Sequence, residues 1–121
     1  MRLTPEITSW IEELVIQYSM QLSIRKPKYL LKVRDVLALP LEITRGRRTS
    51  AYRYQGVTYL KHWIVFINVR RSRTLYELKQ TVAHELVHLR FPYLSHGDGF
   101  RKKVEAVMLG RSFRAYRRRV P

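Results

Sequence analysis

The chain has 121 residues, with 24 lysines and arginines against nine acidic residues and no cysteine. This length fits one domain with a single core, and a hydrophobic content of 45% argues against a disordered chain. The lack of cysteine excludes a disulfide framework, a thiolate zinc site and a thiol nucleophile. The longest apolar run, residues 63–67, is far shorter than the ~20 residues of a membrane-spanning helix. With no signal-peptide pattern at the N-terminus, we expect a single cytoplasmic domain over residues 1–121 that makes no membrane contact.

The positive charge is concentrated after the first 24 residues. Residues 1–24 carry one arginine and three glutamates, whereas residues 25–121 carry 23 basic and six acidic groups, a net charge of +17. Such a field favours polyanionic partners, so sequence-independent contact with DNA or RNA is one expectation. The alternative is a basic surface that serves solubility or an acidic protein partner. The basic tail, residues 111–121, contains five arginines and is expected to be loosely ordered.

The first predicted element is an N-terminal amphipathic helix. Thr4 fits the N-cap and Pro5 the first helical position, while Pro27 prevents any continuation. Apolar side chains recur at helical spacing on one face, namely Ile7, Trp10, Ile11, Leu14, Val15, Tyr18 and Leu22. Residues 30–39 are rich in apolar side chains but mixed in period, so both a short helix and a strand remain open there.

A small antiparallel sheet is predicted in the middle of the chain. Residues 44–69 are rich in aromatic and β-branched side chains, which indicates two or three antiparallel strands. We expect a turn at Gln55-Gly56, after a run from Thr49 to Tyr54. Strands at Val57–Leu60 and Trp63–Val69 are expected to follow.

Two further helices complete an α+β prediction. Thr74 and Glu77 form a capping box that opens a helix, which Pro92 ends. After a loop at residues 93–97, a C-terminal helix follows, with Gly110 as its C-cap. The core face of the first helix is expected at Leu78, Val82, Leu86 and Leu89, and that of the second at Phe100, Val104, Val107 and Met108.

An H-E-x-x-H motif, His84-Glu85-Leu86-Val87-His88, lies in the first of these two helices. Residues at i and i+4 lie one above the other on a helix, so both imidazoles can bind one metal ion. Glu85 lies next to the first histidine, where it can act as general base toward a zinc-activated water. Both histidines also lie outside the predicted core face, so their side chains are available to form a site.

Catalytic zinc needs a third protein ligand and leaves a fourth position for water. Two residues can supply this ligand: His96, eight residues after His88, and Glu105 in the C-terminal helix. We favour His96, because it lies where the chain returns after Pro92, and Gly97 permits close packing there. The prediction is one Zn²⁺ per chain bound by His84, His88 and His96.

These residues resemble a known family. Asn68, the helix from Thr74, the H-E-x-x-H motif and His96-Gly97-x-x-Phe100 are together similar to the SprT-like (Spartan-type) zinc metallopeptidase domain, over residues 45–109. Arg48, Ala51 and Tyr54 also fit the sheet of that family.

The resemblance implies a zincin-like metallopeptidase fold with three histidine ligands. It further implies that the sheet's edge strand binds an extended peptide; in eukaryotic members the substrates are proteins crosslinked to DNA. The small size is also similar to that of minigluzincins. In those proteins the third ligand would be a glutamate, which keeps Glu105 open.

Two functional hypotheses follow. The first is a zinc-dependent endopeptidase, a monomer or weak oligomer, that acts on protein or peptide substrates and works near nucleic acid. The second is a basic nucleic-acid-binding protein that keeps the metallopeptidase fold with little or no turnover. The intact Glu85 favours the first, because a structural zinc site has no use for a general base. A third idea is that the arginine-rich tail lies across the cleft and inhibits the enzyme.

Overall fold

The computed structural model describes residues 1–45 and 53–114. They form an α+β arrangement of five helices and a three-stranded sheet. The elements in chain order are α1 (Pro5–Leu22), β1 (Lys28–Leu30), α2 (Val33–Leu37), α3 (Leu41–Thr44), β2 (Gly56–Tyr59), β3 (Ile64–Ile67), α4 (Leu75–Arg90) and α5 (Asp98–Met108), with short 3-10 turns at Leu60–His62 and Val69–Arg71. None of the helices in these two ranges has the length and hydropathy needed to cross a bilayer.

The sheet is mixed, with the strand order β1-β3-β2. β2 and β3 pair antiparallel, with Val57 opposite Phe66, whereas β1 pairs parallel to β3, with Tyr29 opposite Val65. The antiparallel pairing predicted within residues 44–69 is confirmed for β2 and β3. β1 lies outside that range and was not predicted, because a three-residue strand is too short to show an alternating pattern, and its parallel pairing makes the sheet mixed. The segment with a mixed period, residues 30–39, holds the end of this strand and then α2.

The expected turn at Gln55-Gly56 was wrong. Gly56 is the first residue of β2 and pairs with Ile67. The run predicted from Thr49 to Tyr54 lies mostly outside the described residues, and its described end, Arg53 and Tyr54, is not in a strand.

α1 begins and ends where the sequence indicates. The Thr4 hydroxyl oxygen accepts a hydrogen bond from the Ile7 N–H at 3.1 Å, which satisfies one donor of the first turn. At the other end, Ser23 has a φ of 55°, and the Ile24 N–H donates to the Ser19 carbonyl at 3.0 Å. A left-handed residue stops the helix and turns the chain toward β1.

The main core lies between α1, α4, α5 and one face of the sheet. All four residues of the predicted α4 core face, Leu78, Val82, Leu86 and Leu89, are buried. A second, smaller cluster on the other face of the sheet joins Val36 of α2 to Phe66 of β3. The sheet is thus covered on both faces, and α4 packs directly against β2 and β3. This packing fixes the position of the H-E-x-x-H motif relative to the strands.

α5 ends at a glycine with a left-handed backbone, as predicted. Gly110 has a φ of 85°, and its N–H donates to the Val107 carbonyl at 3.0 Å. The next N–H, that of Arg111, donates to the Ala106 carbonyl at 2.9 Å, which completes a Schellman motif.

The first residues of the basic tail pack back onto α1. The Phe113 N–H donates to the Gln21 carbonyl at 2.6 Å, and the Ser23 hydroxyl donates to the Phe113 carbonyl at 2.7 Å. The buried Gln21 amide also donates to the Arg111 carbonyl at 2.8 Å. The expectation of a loosely ordered tail was therefore wrong for residues 111–114, while residues 115–121 lie outside the described part of the chain.

Candidate metal centre

Three imidazoles converge between α4 and the loop that precedes α5. His84 Nε2 lies 3.1 Å from His88 Nε2, which in turn lies 2.7 Å from His96 Nε2. The three ligand atoms all lie within 4.8 Å of one another. Two ligands of a tetrahedral ion, each about 2.0–2.1 Å from it, lie about 3.3 Å apart. The three histidines are therefore close enough to bind one metal ion.

Local structure explains this convergence. His84 and His88 are one turn apart on α4, so their rings lie on the same side of the helix. The helix ends at Arg90, and Phe91 and Pro92 begin a turn in which the Leu94 N–H donates to the Phe91 carbonyl at 3.1 Å. The reversal returns His96 to the exposed side of α4, immediately before α5 begins.

The Phe100 ring packs against all three imidazoles. This side chain is buried, and its ring centroid lies 4.8, 4.6 and 5.1 Å from the centroids of His84, His88 and His96. The sequence predicted Phe100 only as an apolar anchor of the last helix. Its contact with every member of the cluster depends on the reversal at Pro92, which no local pattern shows.

The two helical histidines are neutral at physiological pH. Burial, together with the nearby charge of His96, lowers the pKa of His84 to about 4. Burial lowers the pKa of His88 to about 4 as well, and His84 and His96 add to this effect. Neutral imidazoles have a free ring-nitrogen lone pair, which is the form that binds a metal.

Glu85 is a buried carboxyl beside the cluster. Its side chain is 5% exposed, and its Oε1 lies 4.0 Å from His84 Nε2. The Thr58 hydroxyl of β2 is 3.3 Å from Glu85 Oε2 and also 3.3 Å from the Glu85 carbonyl oxygen. Burial raises the pKa of Glu85 to about 8, and the hydrogen bond from Thr58 opposes this rise. The carboxyl can therefore exchange a proton near neutral pH.

Gly56 lets β2 approach the Glu85 side chain closely. A Cβ atom at this position would lie 2.8 Å from Glu85 Cγ, 3.0 Å from Glu85 Cδ and 3.0 Å from the Phe66 carbonyl oxygen. Any other residue would force one of these groups to move. Sequence reasoning missed this role, although a glycine beside a β-rich run is a known signal of close approach.

The remaining predicted residues have different positions. Glu105 is exposed on α5 and does not belong to the group of ligating side chains that the described residues bring together. Asn68 is buried, and its amide donates to the Tyr54 carbonyl at 3.1 Å, so it holds the segment that leads into β2. Arg48 and Ala51, which contributed to the family resemblance, lie outside the described residues.

The three histidines and Glu85 lie in an open cleft. β2 forms one wall and α5 the other, with α4 between them. Comparisons with protein-family models, curated proteins and solved structures gave no significant match. The resemblance to SprT-like domains therefore remains a prediction.

Proposed function

We propose that the protein is a zinc-dependent metallopeptidase with a zincin-like domain. The observation that carries this proposal is the convergence of three imidazole nitrogens beside a buried carboxyl in an open cleft. Imidazole is a preferred ligand of zinc. Three protein ligands leave one coordination position for a reactant, as in catalytic rather than structural zinc sites.

Each residue of the site has a role in this proposal. His84, His88 and His96 would hold the ion. When bound, zinc supplies a Lewis acid that polarises the scissile carbonyl and lowers the pKa of water toward ~7. Glu85 accepts the proton of the attacking water and then donates it to the leaving amine. Burial raises the pKa of this carboxyl, so it can both accept and donate a proton near neutral pH.

The edge of the sheet supports a polypeptide as the substrate. Among the described residues β2 has a single partner strand, β3, so its other edge borders the cleft. The Asn68 N–H donates to the Gln55 carbonyl at 2.8 Å, so these two residues form a hydrogen-bonded pair next to the β2–β3 ladder. Hydrogen-bonded pairs alternate along an antiparallel ladder, so the backbone N–H and C=O groups of Gly56 and Thr58 point away from β3. An extended polypeptide can pair with such groups as an added strand.

The general base gives the most direct test. Zinc-loaded wild-type protein should cleave an unstructured protein substrate, and Glu85→Gln should retain zinc and fold while its rate falls by about 100-fold or more. Glu105→Gln is the matched control, because it neutralises an exposed carboxylate in the same cleft, and it should keep most of the activity. Equal cleavage by Glu85→Gln would remove Glu85 from this role. Wild-type protein that cleaves nothing when fully loaded would refute the peptidase function.

The charge favours a second candidate function, sequence-independent nucleic-acid binding with little or no turnover. A net charge of +15 is the observation behind it. Such binding needs neither zinc nor Glu85. If six or more phosphates are contacted, the affinity should fall by roughly 10³-fold or more between 50 and 200 mM salt. Protein that shows no binding at 50 mM salt would rule out this function.

A further inference from the structure

We propose that the cleft selects polypeptide segments with acidic residues on both sides of the bond that is cut. This inference rests on the proposed peptidase function and adds a substrate class to it. Apart from the histidines and Glu85, the charged side chains that line the described part of the cleft are five cations, Arg45, Arg53, Lys61, Arg71 and Arg101, and two anions, Glu42 and Glu105. The lining of the cleft therefore carries more cations than anions around the site.

Two of these cations flank β2. Arg53 precedes Gly56 by three residues, Lys61 follows Tyr59 by two, and both side chains are exposed. β2 itself spans Gly56–Tyr59, about 13 Å at the rise of a strand. A peptide paired with this edge that extends past β2 by a residue or two at each end would have its ends near the segments that carry Arg53 and Lys61. Its middle would lie beside Glu85, because Gly56 and Thr58 both contact that residue. Acidic residues on either side of the scissile bond would then meet a cation.

The opposite wall adds a third cation, Arg101, which follows the buried Phe100 on α5. Its guanidinium is paired with Asp98, and the two side chains are 74% and 82% exposed. An ion pair in such an exposed position stabilises the protein by little. A substrate carboxylate can therefore replace Asp98 as the partner of Arg101 at small cost.

A polypeptide fits the cleft better than a nucleic acid does. The outward-facing backbone groups of Gly56 and Thr58 provide both donors and acceptors at the spacing of a strand. A peptide backbone matches both kinds of group, whereas a sugar–phosphate backbone offers acceptors without N–H donors. Arg53 and Lys61 flank this edge and Arg101 lies on the far wall, so the side chains of a paired peptide can meet these three cations.

Binding can be separated from turnover with Glu85→Gln. Fluorescent twelve-residue peptides that differ only in having Glu, Gln or Lys at the flanking positions would be titrated against the zinc-loaded variant by anisotropy. Each exposed ion pair contributes a factor of about 1.4 to 5 in affinity. With two or three pairs, we expect the Glu peptide to bind about 5- to 20-fold more tightly than the Gln peptide, and the Lys peptide to bind most weakly. High salt should shrink this preference.

Charge reversal identifies the residues responsible. Arg53→Glu with Lys61→Glu should abolish the preference for the Glu peptide. Arg34→Glu is the control, since this exposed arginine lies on α2, across the sheet from the cleft. This variant should keep the preference for the Glu peptide.

Equal binding of the three peptides would overturn the inference. An equal loss in Arg34→Glu would do the same, because it would show that only the net charge matters. Displacement of all peptides by single-stranded DNA, without any charge preference among them, would assign the cleft to nucleic acid instead. Wild-type protein that cleaves none of the peptides, while the binding preference persists, would refute the peptidase function and leave the charge selection standing.

Discussion

Replacing Gly56 by alanine adds one methyl group at the contact between β2 and the proposed general base. The new Cβ would lie 2.8 Å from Glu85 Cγ and 3.0 Å from the Phe66 carbonyl oxygen, both closer than normal van der Waals contacts. Phe66 belongs to β3, the central strand, which pairs with strands on both sides. The Glu85 side chain is therefore the group that must move.

The expected effect has two parts. Extra volume in a packed region lowers the free energy of unfolding by about 1–3 kcal/mol, and Glu85, the side chain that must shift, is buried. A displacement of about 1 Å in a reacting group can lower a rate by about 100-fold. Urea denaturation measures the first effect, and peptide cleavage under conditions where the variant is fully folded measures the second.

Gly99→Ala is the matched control. A Cβ at Gly99 would meet nothing within 4 Å, and the residue lies in the first turn of α5. Gly99→Ala should leave the free energy of unfolding unchanged or raise it by about 0.4–1 kcal/mol, and the variant should keep its activity. If Gly56→Ala keeps wild-type stability and rate, then β2 does not pack on Glu85. If it loses stability but keeps its rate, the packing exists and does not position the base.

Three further predictions concern the ligand set, the pH dependence and the tail. His96→Ala should lose most of its zinc affinity in a chelator competition, whereas Glu105→Ala should not; the reverse result would make Glu105 the third ligand. Metal-free protein should lose stability in urea as the pH rises from about 6.5 to 8, by up to about 1.4 kcal/mol per pH unit. The reason is that burial raises the pKa of Glu85 from 4.5 to about 8, so between these values the folded protein keeps a proton that the unfolded chain releases. Below about pH 6.5 the lowered pKa values of His84 and His88 act in the opposite sense, so the decline shows above that pH. A decline of the same size in Glu85→Gln would contradict this assignment. Truncation after residue 114 removes three of the five tail arginines and should reduce the salt dependence of nucleic-acid binding. Phe113→Ala should lower the melting temperature, since this ring packs against Phe91; a melting temperature equal to that of the wild type would show that residues 111–114 are not docked.

The helices were predictable because their signals are local. Thr4 and Thr74 lie at N-caps, and each accepts a hydrogen bond from an N–H in the first turn of its helix. Gly110 is the left-handed residue that ends α5. The spacing of the H-E-x-x-H motif on a helix likewise follows from chain geometry alone. These features depend on residues within one or two turns of each other, so the sequence specifies them directly.

The missed features all depend on contacts between distant segments. β1 is held by pairing with β3, 36 positions later in the chain. Gly56 leaves room for the Glu85 side chain, which belongs to another element. Phe113 is held by a hydrogen bond to the end of α1. The convergence of His96 with the helical histidines was predicted from the chain reversal at Pro92, but its contact with Phe100 was not. A single sequence shows neither strand pairing nor the approach of one element to another.

The central claim is that one zinc ion, held by the three histidines, is required for peptide hydrolysis at this cleft. Its most direct test is a titration of zinc into metal-free protein, with the cleavage rate of an unstructured protein followed at each addition. We expect the rate to rise in proportion to bound zinc and to level off at one equivalent per chain, with no rise in a His84→Ala, His88→Ala double variant. Hydrolysis that persists without metal, or a fully loaded protein that shows none, would contradict the account.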